Sequence, residues 1–313
     1  MADVRKPGLA FPRTSENVAK LAIVGIALLI VVKAVASAIT GSVGIMADAV
    51  HSFIDLSGAV VALIGIKVSA KPPDQGHAFG HGKAENISSV VISALIFAAG
   101  FTVAYEAVRR LIDGVTVELA GVGIGVTAVA IVVNVLMSRY AMRVASISDS
   151  LALEATARDM MADVLSSCAV LVGLVLVGLT GRSVFDPAVA LLVAVLIIRA
   201  AFVTLKRSFG GLMDARLPDE EEEAIRACIM QHCGHVVGFH RLRTRKAGSD
   251  RHIDLHVVMP KNASVEEAHQ VCDHLEQDIA ARLTGARVNI HVEPCSLECH
   301  QCLVSCSLRR KDR

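Results

Sequence analysis

Two pairs of ionisable residues stand at helical spacing inside long apolar runs. His51 and Asp55 are four residues apart, and Asp159 and Asp163 repeat that interval. Residues at i and i+4 share one face of a helix. An ionised carboxylate at mid-bilayer costs about 2.5–3.5 kcal/mol even on the lenient insertion scale. Three such carboxylates repel one another unless a cation lies between them. Two helices packed on these faces would converge four donors, the number a tetrahedral Zn²⁺ site takes, and imidazole with carboxylate suits several first-row divalent ions. Lys33, in another apolar run, fits two readings: a counter-cation to these acids, or a side chain snorkelling to the outer surface. Asp48 lies three residues before His51 and nearly on its face. It either accepts the free ring N–H of a metal-bound His51 or caps the helix start.

Further donors lie outside the apolar runs. Asp74-x2-His77-x3-His81 is compact, and Gly76, Gly80 and Gly82 let the chain turn tightly around it. By spacing it is either a small-ion cradle or a solvated turn with two surface histidines. Later, Ile253, Leu255 and Val257 alternate with His252, Asp254 and His256, and Val288, Ile290 and Val292 alternate with Asn289, His291 and Glu293. Period-two alternation marks half-buried strands, so His256, His291 and Glu293 face away from the apolar side. His232, His235, His252 and His274 are expected at the surface. The tail Cys295-x3-Cys299-x2-Cys302-x3-Cys306 is either a thiol trap for Zn²⁺ or Cu(I) or an unstructured, oxidation-prone end.

The elements that must position these groups follow from composition. Of 313 residues, 53% are hydrophobic and 19% charged, with mean hydropathy +0.56; a soluble protein usually carries about 25% charged residues. That excludes a wholly soluble enzyme and a disordered chain, and the net charge of +1 argues against a nucleic-acid binder. No HExxH motif supports a metalloenzyme, and no cleavable signal peptide is expected. Six segments are long and apolar enough to cross a bilayer: 17–40, 43–69, 86–110, 118–140, 157–180 and 185–205. Polar connections are expected over 70–85 and 141–156. Lys67, Lys71, Lys83, Arg139, Arg143, Lys206 and Arg207 outnumber Arg109, Arg110 and Arg182 on the other side. Both termini are therefore expected in the cytoplasm, in a multi-pass protein of the inner membrane.

The soluble part reads as α-β-β-α-β, a small α+β domain. Asp219 is a candidate helix cap, residues 236–246, 251–259 and 286–293 are predicted strands, and Ser264-x-x-Glu267 is a capping box opening a helix to about residue 283. The predicted organisation is a cytoplasmic segment 1–16, a six-span membrane domain 17–210, a cytoplasmic metal-binding dimerisation domain 211–294 and a Cys-rich tail 295–313.

The segments MADAVHSFIDLSGAV, KPPDQGHAFGHGKAEN and ARDMMADVLSS resemble the cation diffusion facilitator family of divalent-metal transporters. Six spans followed by a cytoplasmic α+β domain fit that family over nearly the whole chain. The resemblance implies a homodimer embedded in membrane lipid, with Zn²⁺ as substrate and regulatory ligand and H⁺ as coupling ion. It implies a transport site at His51, Asp55, Asp159 and Asp163, and a second metal site at Asp74, His77 and His81. It implies a third, binuclear site at a dimer interface from His240, His256, His269, His291 and Glu293, the last replacing the usual Asp. It also pairs Lys83 with Asp214 as a hinge lock. In the best-known bacterial zinc and iron exporters of this kind the single His lies on the fifth span; here it lies on the second. Export of Zn²⁺ is the leading expectation. A carrier mainly of Fe²⁺, Mn²⁺, Co²⁺ or Cd²⁺, or a metal sensor without transport, are the alternatives.

Overall fold

A membrane interior offers no partner for backbone N–H and C=O groups, so apolar runs cross it as helices. The computed structural model describes residues 10–40, 43–113, 121–180, 184–232 and 236–295. It contains six long helices: α1 (Ala10–Thr40), α2 (Val43–Ser69), α3 (Lys83–Asp113), α4 (Gly121–Ser148), α5 (Leu151–Thr180) and α6 (Phe185–Leu212). Five of them satisfy both length and apolarity for a membrane span. The other, α5, has 30 residues and carries Glu154, Arg158, Asp159 and Asp163 in its first half.

The polar connection expected over 141–156 is not there. Helix α4 continues to Ser148 and α5 begins at Leu151, joined through Asp149 at φ 55 and Ser150. The apolar run marks where the bilayer ends, not where the helix ends. Ala141, Val144 and Ala145 keep a buried stripe at helical spacing beyond it. The other connection is shorter than predicted, because α3 already starts at Lys83.

Close approach between helices depends on small residues. A Cβ on Gly65 of α2 would collide with Ser88 of α3. Near that contact Glu85, 6% exposed, accepts hydrogen bonds from Ser69 Oγ at 3.2 Å and from the Leu151 backbone N–H at 3.1 Å. One carboxylate therefore joins the end of α2, the start of α3 and the start of α5. At the same end, Asn86 donates to the Ser208 carbonyl of α6 at 3.3 Å.

The chain divides at Gly210/Gly211 into two compact units. The second holds α7 (Asp219–Gln231), β1 (Gly238–Ala247), β2 (Asp250–Met259), α8 (Val265–Arg282) and β3 (Ala286–Pro294). The sheet order is β1-β2-β3, with β1 antiparallel and β3 parallel to β2. Parallel strands need a crossover, which α8 provides. The capping box forms as predicted, with Ser264 accepting from the Glu267 N–H at 3.1 Å and Glu267 accepting in return from the Ser264 N–H at 2.8 Å. The cap predicted at Asp219 does not form. Pro218 occupies the N-cap, and Asp219 is the first helical residue, bonded to Arg216. Ile253, Leu255 and Val257 are buried against Leu275 and Ile279 of α8 and Ile225 and Ile229 of α7.

Register in β1 is broken once. His240 pairs with His256, but Arg243 pairs with Asp254, so one extra residue is accommodated between them, where Arg241 takes φ 52. Such a bulge switches which residues face inward. Phe239 packs on the core before it, and Leu242 and Thr244 turn inward after it.

Candidate metal centre

Helices α2 and α5 pack against each other in the membrane domain. His51 Nε2 lies 3.9 Å from Asp55 Oδ1 on its own helix and 3.7 Å from Asp163 Oδ1 on α5. One donor atom from each of His51, Asp55 and Asp163 falls within 4.8 Å of the others. Asp159 is not in that cluster. A Cβ built on Gly58, three residues past Asp55, would stand 3.7 Å from Asp159 Oδ2, so the fourth acid lies alongside α2, toward the end that Glu85 clasps. The structure thus brings together three of the four residues that spacing suggested. The Asp48 side chain lies outside the described residues, although its backbone belongs to α2.

Lys33, by sequence either a counter-cation or a snorkelling side chain, lies inside the bundle. It does not snorkel: it is 6% exposed, and its Nζ donates to Ser52 Oγ at 2.8 Å. Ser52 is buried too and follows His51 directly in α2.

The loop 70–82 forms a second cluster. Asp74 Oδ1 accepts from the backbone N–H groups of His77 at 2.7 Å and Gly76 at 2.9 Å. The His77 bond foremost, with that of Gly76, holds the Asp74 carboxyl below the usual carboxylate range. His77 Nδ1 is 3.5 Å and His81 Nε2 3.4 Å from the same carboxylate. The two imidazoles lie 4.4 Å apart, centroid to centroid. Gly80 closes the turn at φ 84, a left-handed conformation natural to glycine. His81 Nδ1 is buried and finds no hydrogen-bond partner among the described residues. Lys83 follows as the first residue of α3.

The third cluster is made by strand register. His240, His256 and His291 are direct cross-strand partners along one row of the three-stranded sheet. Their rings lie 5.3 Å and 4.7 Å apart in succession. Two residues beyond His291 on the same face, Glu293 reaches back to the row. Its oxygens are 2.7 Å from His256 Nδ1, 3.2 Å from His240 Nε2 and 3.9 Å from His291 Nε2. The His256 hydrogen bond above all, aided by the neighbouring imidazoles, lowers the Glu293 pKa. Donors from His240, His256 and Glu293 meet within 4.8 Å. His269 is not in this group; it is exposed on α8, 3.6 Å from Asp273. In the same unit Asp214, at φ 54, accepts from Arg245 at 3.2 Å.

His252 departs from its expected surface position. It is 7% exposed, and burial lowers its pKa because an imidazolium is poorly solvated there. Alternation assigns a side chain to a face of the sheet but not to what covers that face. His232 is half-buried, its Nε2 3.2 Å from Asp278, whereas His274 is exposed as expected. His235 and the cysteines after Cys295 lie outside the described residues.

Comparison with known proteins gives concordant matches over both units. The model of the cation efflux transmembrane domain matches residues 19–213, and that of the cation efflux protein cytoplasmic domain matches residues 217–295. The uncharacterized transporter sll1263 of Synechocystis is 37% identical over 83% of this chain and 84% of its own. The cation-efflux pump FieF of Salmonella agona is 33% identical over 86% of this chain and 89% of its own. A solved structure of CzrB in its Zn form is 42% identical over 25% of this chain and 90% of its own, with a TM-score of 0.24.

Proposed function

The chain belongs to the cation efflux family of multi-pass membrane transporters, and from that premise we propose that it exports divalent metal ions, Zn²⁺ foremost, from the cytoplasm in exchange for protons. The observation that carries this reading is the meeting of His51, Asp55 and Asp163 donors on two helices of the membrane domain. Metal binding requires ionised carboxylates and a neutral imidazole, so protons and metal compete for the same atoms. Cytoplasmic metal displaces the protons, and protonation from the far side expels the metal. Asp159 completes the ligand set in this proposal.

The histidine row with Glu293 supports a regulatory metal site in a homodimer, and Asp74, His77 and His81 a further site beside the membrane domain. Both termini are cytoplasmic in this reading, at the inner membrane. One imidazole among carboxylates also supports a second reading, a carrier of the harder ions Mn²⁺ or Fe²⁺.

The test is metal uptake into sealed vesicles holding the purified full-length protein, under an imposed proton gradient, with Zn²⁺, Fe²⁺, Mn²⁺, Co²⁺ and Cd²⁺ compared. Gradient-dependent accumulation is expected, greatest for Zn²⁺. Binding without accumulation would replace export with sensing.

A further inference from the structure

A groove of about 250 Å³ lies between α6 and the hairpin of α4 and α5. Its walls are largely apolar: Met142 of α4, Met161 and Leu165 of α5, Ile197 and Ala200 of α6, with the buried Ile96 of α3 among them. Leu165 is exposed, so the groove opens toward the surrounding acyl chains rather than closing into the core. Two guanidiniums line the same groove, those of Arg139 and Arg158. Glu154 Oε1 accepts from Arg158 Nη2 at 2.9 Å and from Arg207 Nη1 of α6 at 2.7 Å. One carboxylate thus serves two guanidiniums, and Arg139 adds a third, which leaves positive charge in excess here.

The three arginines also share a level. Arg139 and Arg158 stand at the ends of the apolar runs of α4 and α5, and Arg207 lies just past that of α6. Headgroup phosphates lie at that boundary of a bilayer. From Arg158 the α5 wall continues about 10 Å inward to Leu165, the depth of the acyl chains. We propose that the groove binds one anionic glycerophospholipid, its phosphate bridging Arg139 and Arg158 and one acyl chain lying along Met161, Leu165 and Ile197. The planar fork of arginine matches phosphate oxygens, and basic pockets between membrane helices take lipid headgroups in this way. A free anion would leave the apolar walls uncovered, and a zwitterionic lipid would bring its own cation against the guanidiniums. Charge and shape together therefore select an anionic lipid.

The test titrates the full-length protein in detergent with phosphatidylglycerol, phosphatidylcholine and inorganic phosphate, reading bound lipid and affinity by native mass spectrometry. One tightly held phosphatidylglycerol per chain is expected, with phosphatidylcholine at least about fivefold weaker and no competition from inorganic phosphate. Arg139→Gln and Arg158→Gln should each weaken phosphatidylglycerol about fivefold and leave phosphatidylcholine unchanged. Ala200→Leu fills the groove while keeping both guanidiniums, and should remove the tight lipid. Arg139 is exposed, so its variant keeps the test valid should the other two not fold. Equal affinity for the two lipids, or wild-type phosphatidylglycerol binding in Arg139→Gln, would overturn the proposal. Competition by inorganic phosphate would reduce the groove to a free-anion site and overturn it as well. A changed oligomeric state in Ala200→Leu at unchanged lipid affinity would give the groove to a second copy of the chain instead.

Discussion

His51 Nε2 of α2 stands 3.7 Å from Asp163 Oδ1 of α5, a contact between the two helices that carry the candidate donors. An ion seated between them would replace this pair with two metal–ligand bonds of about 2.0–2.2 Å, drawing the helices together.

Removal of a clustered donor should therefore be more damaging than removal of the outlying one. Asp55→Ala and Asp163→Ala are each expected to abolish proton-driven Zn²⁺ flux, at least about 100-fold, in protein that remains folded. Asp159→Asn should lose less, about tenfold. Vesicle flux with circular dichroism as the folding control checks this, and full flux in Asp55→Ala and Asp163→Ala would remove the site.

Asp48 precedes His51 by three residues, so it can receive the imidazole N–H that faces away from a bound ion. Asp48→Asn keeps an acceptor but loses the charge. Zn²⁺ affinity is expected to fall about 10–100-fold, with an altered pH profile of transport. Equilibrium binding and flux measured across pH distinguish this from a helix cap, which would change neither.

At the sheet, the sign of pH dependence follows from Glu293. Its folded pKa is lowered from 4.5, chiefly by His256, so its contribution is fully present above the unfolded value and is lost as pH falls through the folded one. Thermal unfolding of the apo protein should show wild type more stable than Glu293→Gln above about pH 5, with the two converging in stronger acid. Parallel curves throughout would mean that Glu293 has no folded-state partner.

The family resemblance pairs Lys83 with Asp214 as a lock at the dimer contact. Lys83→Asp is expected to impair dimerisation or flux, and adding Asp214→Lys to restore part of the loss. An ordinary surface pair is worth less than about 1 kcal/mol. Additive effects in the double variant, read by sedimentation and flux, would reject the pairing.

Local patterns were legible in the sequence and long-range ones were not. The alternation around His256 and His291 reported two strands, and Ser264-x-x-Glu267 reported a helix start, because both signals are contained within a few residues. The bulge after His240 depends on which β2 residue stands opposite, so β1 alone could not reveal it. The inward turn of Lys33 depends on Ser52, nineteen residues away on another helix. Apolar runs located the spans but not the ends of α4 and α5, since helices outlast the bilayer. Spacing paired Asp159 with Asp163, yet Asp163 meets the His51 and Asp55 donors while Asp159 lies beside Gly58, an outcome of how α5 packs against α2.

Glu85 makes α2 and α5 a pair of tongs. From its clasp on Ser69, α2 runs fourteen residues back to Asp55, and from its clasp on Leu151, α5 runs twelve residues on to Asp163. At 1.5 Å per residue the two arms are nearly equal, about 21 Å and about 18 Å. Spreading the arms by about 5° would separate their ligands by roughly 1.7 Å, enough to break coordination at about 2.0–2.2 Å while the clasp stays closed. On the export reading, release of an ion would then need only a small rotation, with Glu85 as the fulcrum.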